Sequence, residues 1–166
     1  NASVNLKNVT LKDASGENNL LKADKISFRL GLPSLFSGNY KINSFSMENA
    51  ELFIYSDKKG NANYDIAKTS DTPTETPEPA SSEGGGLKFS IKRANLNNVR
   101  LIYNDERAKQ KAAMTVKDAS LSGNFAGSQF DLNSRAEIHS GYLEMANERY
   151  LVDKDLAYNA RIDVDN

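Results

Sequence analysis

Apolar residues recur at every second position through much of the chain, and at several places the phase slips by one. Ile26, Phe28 and Leu30 alternate with Lys25, Ser27 and Arg29. Phe130, Leu132, Ala136 and Ile138 alternate with Asp131, Asn133, Arg135 and Glu137, and Leu156, Tyr158, Ala160, Ile162 and Val164 with Asp155, Asn159, Arg161 and Asp163. Period two places alternate side chains on opposite faces, so these segments predict strands of an antiparallel sheet with one apolar and one wet face. The stretch "SFSMENAELFIY", 44–55, behaves differently: Phe45 and Met47 share a face, as do Ala50, Leu52 and Ile54, but Met47 and Ala50 are out of phase.

That slip is a repeated unit. The same spacing occurs in "LKNVTL" (6–11), "LNNVRL" (96–101) and "VKDASL" (116–121), each with an apolar residue two positions earlier: Val4, Ala94 and Met114, matching Phe45. An uncompensated phase change would send the following apolar residues to the wrong side of the sheet. A bulge or a tight corner restores the face and bends the strand, and Asn and Asp tolerate the backbone conformations required. The expected bulge positions are Asn8, Asn49, Asn98 and Asp118.

Turn-forming stretches at 13–19, 56–63, 104–111, 126–129 and 139–141 divide the chain into about eight to ten strands. Helix signals are sparse. "LPSLFSG", 32–38, fits one short amphipathic turn starting at Pro33 and stopped by Gly38, while Asp105–Ala113 is charged all round and reads as a hairpin tip. Residues 69–86, "TSDTPTETPEPASSEGGG", are too polar to fold and read as a linker inside the domain, between a β region over 1–68 and continuing β repeats over 87–166. The expected fold is mainly β: a curled antiparallel sheet, an open trough or incomplete barrel, with bulged strands and at most one or two short helices. With no helix able to cover it, the apolar face must curl inward, meet a second sheet, or be covered by something else, because burial contributes roughly 25 cal/mol per Å².

Composition narrows the function mainly by exclusion. The 166 residues carry 21 Lys plus Arg against 22 Asp plus Glu, so no general field attracts nucleic acid. Cys is absent, which excludes disulfides and thiolate metal sites. No apolar run approaches the ~20 residues of a membrane-spanning helix, and both ends open or close within alternating segments, as expected of a piece cut from a longer chain. His139 is the sole histidine and reads as a solvated residue beside a turn. "DKKGNANYD", 57–65, lacks the ligand spacing of a calcium loop and reads as a hairpin loop; "GGG" at 84–86 lacks the Lys and Ser or Thr of a phosphate loop. Asn8, Val9 and Thr10 fit a glycosylation acceptor. No pairing of carboxylates, nucleophile or base emerges, so the expectation is a non-enzyme without metal or cofactor.

The middle of the chain carries a resemblance. "LLKADKISFRLGLPSLFSGNYKINSFSMENAELFIYSDKKGNANYDIAK", 20–68, resembles the amino-terminal region of AsmA-family proteins of Gram-negative bacteria, in the succession "PSLFSG", "INSFSMENAELFIY" and "KKGNANYDI". Asn49 and Ala50 stand where a Pro is common in that family, and Tyr64 where Trp is common. The resemblance implies a periplasmic body tethered to the inner membrane by an anchor outside this chain, similar in architecture to TamB and the chorein-type bridge-like lipid-transfer proteins. It further implies outer-membrane biogenesis and transport of phospholipid between the two membranes, the acyl chains lying in an apolar β groove. Candidate lining residues are then Val4, Leu6, Phe28, Leu30, Met47, Leu52, Ile54, Val99, Leu101, Leu132, Ile138, Tyr158 and Ile162. The alternatives are a non-enzymatic β scaffold or chaperone-like module that receives outer-membrane protein strands at its edges, and an unrelated closed β-sandwich.

Overall fold

The computed structural model describes residues 2–30, 39–66, 88–126 and 129–164. They form β1 (Ala2–Lys12), β2 (Asn19–Leu30), β3 (Asn39–Ser56), β4 (Lys88–Ile91), β5 (Arg93–Asp105), β6 (Gln110–Ala126), β7 (Gln129–Met145), β8 (Glu148–Tyr150) and β9 (Lys154–Val164). No helix occurs among the described residues. The expected helical turn at 32–38 and the linker at 69–86 lie outside them. The strands make one sheet in the order β1-β2-β3-β5-β6-β7, with β4 also on β3, and β8 and β9 both on β7. The sheet is curled and open, not closed into a barrel.

Neighbours are antiparallel except at the centre, where β3 pairs in parallel with β4 and β5. The repeat explains this exception. β3 and β5 are two copies of one unit laid side by side in the same direction, with Phe45 opposite Ala94, Met47 opposite Leu96, Ala50 opposite Val99 and Leu52 opposite Leu101. Parallel neighbours require a long crossover, and the chain between them supplies it.

The phase slips align into a single crease. Lys7 pairs with Lys25 and Val9 with Ala23, so Asn8 and Asp24 are both skipped. The same happens between β3 and its neighbours at Asn49, in β5 at Asn98, and in β6 at Lys117. Asn8, Asn49 and Asn98 are left-handed, with φ of 51°, 48° and 50°, a conformation that Asn adopts more readily than most residues. From β1 to β6 both partners contribute an extra residue, so the feature is a shared corner. It becomes a two-against-one bulge only between β6 and β7, where Asp118 pairs with Glu137 and Val116 with Ile138, with nothing skipped on β7. The expected position Asp118 is thereby corrected. β6 runs opposite to β5, so the residue facing Asn98 is Lys117, and Asp118 itself pairs with Asn97.

Two further differences concern β7. "HSG", 139–141, is no turn but the middle of the strand: Met114 pairs with Ser140 and Ala113 with Tyr142, leaving Gly141 as a bulge. There the outer neighbour of β7 changes from β9 to β8, and the Gly141 carbonyl accepts a hydrogen bond from the Asp153 N–H at 3.1 Å. The actual reversal comes at Ala146 and Asn147, both left-handed with φ of 51° and 69°, as a two-residue hairpin turn requires. The segment Asp105–Ala113 is a hairpin tip, as read from its charge, with Lys109 left-handed at φ 54° and the Ala108 N–H held by the Asp105 carboxylate at 2.7 Å.

Candidate functional site

The register turns the alternating pattern into continuous apolar rungs across the sheet. From β1 to β6 they are Val4, Phe28, Phe45, Ala94 and Leu121; then Leu6, Ile26, Met47, Leu96 and Ala119. Beyond the crease follow Val9, Ala23, Ala50, Val99 and Val116, then Leu11, Leu21, Leu52, Leu101 and Met114. If Asn8, Asp24, Asn49, Asn98 and Lys117 took regular places in the pairing, the last two rungs would sit on the other face. The crease is therefore what keeps this surface apolar along its length.

By this register all of the candidate lining residues share one face. Val4 and Phe28 stand in the first rung, Leu6 and Met47 in the second, Val99 in the third, and Leu52 and Leu101 in the fourth. Leu30 lies beyond the first rung opposite Ala2, and Ile54 beyond the fourth opposite Tyr103. On the far side, Ile138 extends the third rung, Tyr158 the second, and Leu132 pairs with Ile162. Exposure along this face follows position. Ala23, Ile26, Ala50 and Val99 form a buried cluster at the centre, because each has neighbours on both sides. At the margins Leu6 is 42% exposed, Tyr158 48% and Ile162 46%.

Nothing in the protein covers this face among the described residues. Strands touch their hydrogen-bonded neighbours and make only incidental contact with others, so no second layer lies over the rungs. Among the described residues the face is the uncovered surface of one curled sheet.

The opposite face is mainly polar and laced with ion pairs, apart from an apolar patch where Phe53 stacks on Tyr55 and faces Ile102. Lys25 pairs with Glu48 at 2.8 Å, Arg100 with Glu51 at 3.5 Å, and Arg135 with Asp118 at 3.3 Å. Along the crease, Asn98 Nδ2 donates to Asn49 Oδ1 at 2.9 Å, and Asn49 Nδ2 to Asp24 Oδ2 at 3.0 Å. This ladder stitches β2, β3 and β5 together above a shallow depression of about 550 Å³ that includes Asn8, Lys22 and Thr115. His139 also points to this face. Its Nδ1 lies 3.0 Å from Asp155 Oδ1 and its Nε2 3.6 Å from Asp153 Oδ1, and Lys117 Nζ lies 2.8 Å from Asp155. Hydrogen bonds from Lys117 and then His139 hold the Asp155 carboxyl below the usual carboxylate range. No group of three or more His, Cys, Asp or Glu side chains able to hold a metal occurs among the described residues.

The loop after β3 has a structural use. Asn63 is buried and continues the pairing of β3 where β2 runs out: its Oδ1 accepts from the Tyr55 N–H at 2.9 Å and its Nδ2 donates to the Phe53 carbonyl at 2.8 Å. Its own carbonyl accepts from the Ala14 N–H at 2.8 Å, which ties the β1–β2 turn to the same point. Asp57 closes the loop by accepting from the Lys59 and Asn61 N–H groups at 2.8 and 2.9 Å. With the Asn61 side-chain amide as the largest cause, these bonds lower the Asp57 pKa.

A family model for the AsmA family matches residues 2–151. The chain belongs to the AsmA family. The match runs from β1 through β8, so it takes in every copy of the slipped repeat and the Asn63 loop. Membership points to a role in outer-membrane assembly or lipid transport. A search of curated proteins finds no match to this chain.

Proposed function

We propose that this AsmA-family segment holds phospholipid acyl chains against its apolar face, as part of a periplasmic path between the inner and outer membranes, without catalysing a reaction. The observation that carries this reading is the set of unbroken apolar rungs with no protein layer over them among the described residues. An apolar surface of this extent needs a cover, and hydrocarbon chains supply one with no demand for directional contacts. Each methylene moved from water onto such a surface gains about 0.8 kcal/mol, which offsets its loss from the bilayer. Successive rungs have similar composition, so a chain can shift along the strands with little net change at each step.

The test is the phospholipid that co-purifies with the full-length protein. Replacing Leu101 by Asp puts a charge into the fourth rung, whereas Arg100→Asp changes only the polar face. The expected result is loss of most bound phospholipid in Leu101→Asp and retention in Arg100→Asp, both variants being folded. Equal retention in the two would overturn the proposal.

A further inference from the structure

The apolar face has two unlike margins. On the β1 side its members are Ala2, Val4, Leu6, Val9 and Leu11, all apolar. On the β7–β9 side the same rungs continue as Ser134 with Ala160, Ala136 with Tyr158, Ile138 with Leu156, and Ser140 with Lys154. Hydroxyls and an ammonium thus enter a face that is otherwise apolar through these rungs. Ser134 Oγ and Tyr158 Oη hydrogen-bond each other at 2.9 Å. Asp155 engages Lys117 and His139 on the polar face, so the adjacent Lys154 belongs to the apolar one by strand alternation. Lys154 makes no ion pair among the described residues.

We infer that bound phospholipid lies across the strands, its headgroup at the β7–β9 margin with the phosphate toward Lys154, and its acyl chains running over β6, β5 and β3. This inference rests on the acyl-chain reading above and adds an orientation and a headgroup preference. The dimensions agree. Adjacent strands are about 4.8 Å apart, and one leaflet's share of a ~30 Å hydrocarbon core is about 15 Å, or roughly three interstrand steps. A headgroup over β7 at the Ser140–Lys154 rung therefore places the chain ends over β3 near Leu52, beside the buried Ala50 and Val99. The reverse orientation would set a charged headgroup against Val4, Leu6 and Val9, with no polar side chain to meet it and the chain ends beneath a Lys.

The experiment uses two phosphatidylethanolamine probes on the full-length protein, one with a photoreactive group on the headgroup and one with it at the acyl terminus, with adducts mapped to peptides. The expected result is headgroup adducts on 148–164 and acyl-terminal adducts on 42–55 and 93–105. Acyl adducts on the apolar face with headgroup adducts on 2–12, or spread evenly, would overturn the orientation and leave the acyl-chain reading standing. No adducts from either probe would overturn both. Separately, Lys154→Gln should lower the ratio of bound phosphatidylglycerol to phosphatidylethanolamine about fivefold, the effect of one cation near an anionic lipid, and Lys154→Arg should retain it. An unchanged ratio in Lys154→Gln would remove Lys154 from the headgroup site.

Discussion

Replacing Asn98 separates the backbone role of the crease from its side-chain role. Asn98 has φ of 50° and donates one side-chain hydrogen bond, 2.9 Å to Asn49 Oδ1. Ala and Gly both lose that bond, which at an exposed position contributes about 0.5–1 kcal/mol. They differ in the left-handed backbone, which costs an ordinary L-residue about 1–2 kcal/mol and Gly almost nothing. Asn98→Ala should thus destabilise by about 1.5–3 kcal/mol, Asn98→Gly by less than about 1 kcal/mol, and Asn98→Val by more than Ala because its branched side chain crowds that conformation. Urea unfolding followed by circular dichroism gives the comparison, with midpoints shifting at unchanged slope. In thermal unfolding the Ala variant should lose roughly 3–12 °C for a chain of this size. If Gly costs as much as Ala, or Val costs nothing, the left-handed corner is not what positions the later rungs.

Other consequences concern separate parts of the sheet. A Cβ at Gly141 would stand 3.3 Å from the Ala113 carbonyl oxygen, so Gly141→Val should destabilise by about 1–3 kcal/mol and loosen amide exchange protection at the β7–β8 junction, while Gly141→Ala should do less. The Asp57 carboxyl is lowered from 3.8 by Asn61 and backbone N–H groups, and Asp155 is lowered from the same value by Lys117 and His139. A depressed folded pKa gives stability that is present above the unfolded value and lost as pH falls through the folded one. Asp57→Asn should accordingly flatten the loss of stability below about pH 4 and leave the profile above it unchanged in shape; an unaltered acid limb would contradict the loop's assigned bonds.

The sheet itself was legible because every strand alternates, and the slip was legible because it repeats with Asn in three of its copies. Its position in β6 was not, since the repeat motif does not say which way a strand runs, and direction decides whether Lys117 or Asp118 faces Asn98. The slip in β2 is marked only by the three-residue step from Ala23 to Ile26, with Asp24 just ahead of the clean alternation that starts at Lys25. "HSG" misleads because Gly and Ser serve turns and bulges alike, and only pairing with Met114 and Ala113 distinguishes them. The polar margin at Ser134, Tyr158 and Lys154 is a property of several strands at once. It becomes visible only when the register aligns residues far apart in sequence.

Whether lipid meets one face of this sheet and not the other is read by site-specific photocrosslinking of the protein in the presence of phospholipid membranes. The probe is placed at Phe28, Leu101 and Ile162 on the apolar face and at Arg29, Arg100 and Arg161, each one residue away on the polar face. Phospholipid adducts are expected at the first set and none at the second. Equal labelling of both sets, or no labelling of either in folded protein, would contradict it and return the chain to a scaffold that works through its strand edges.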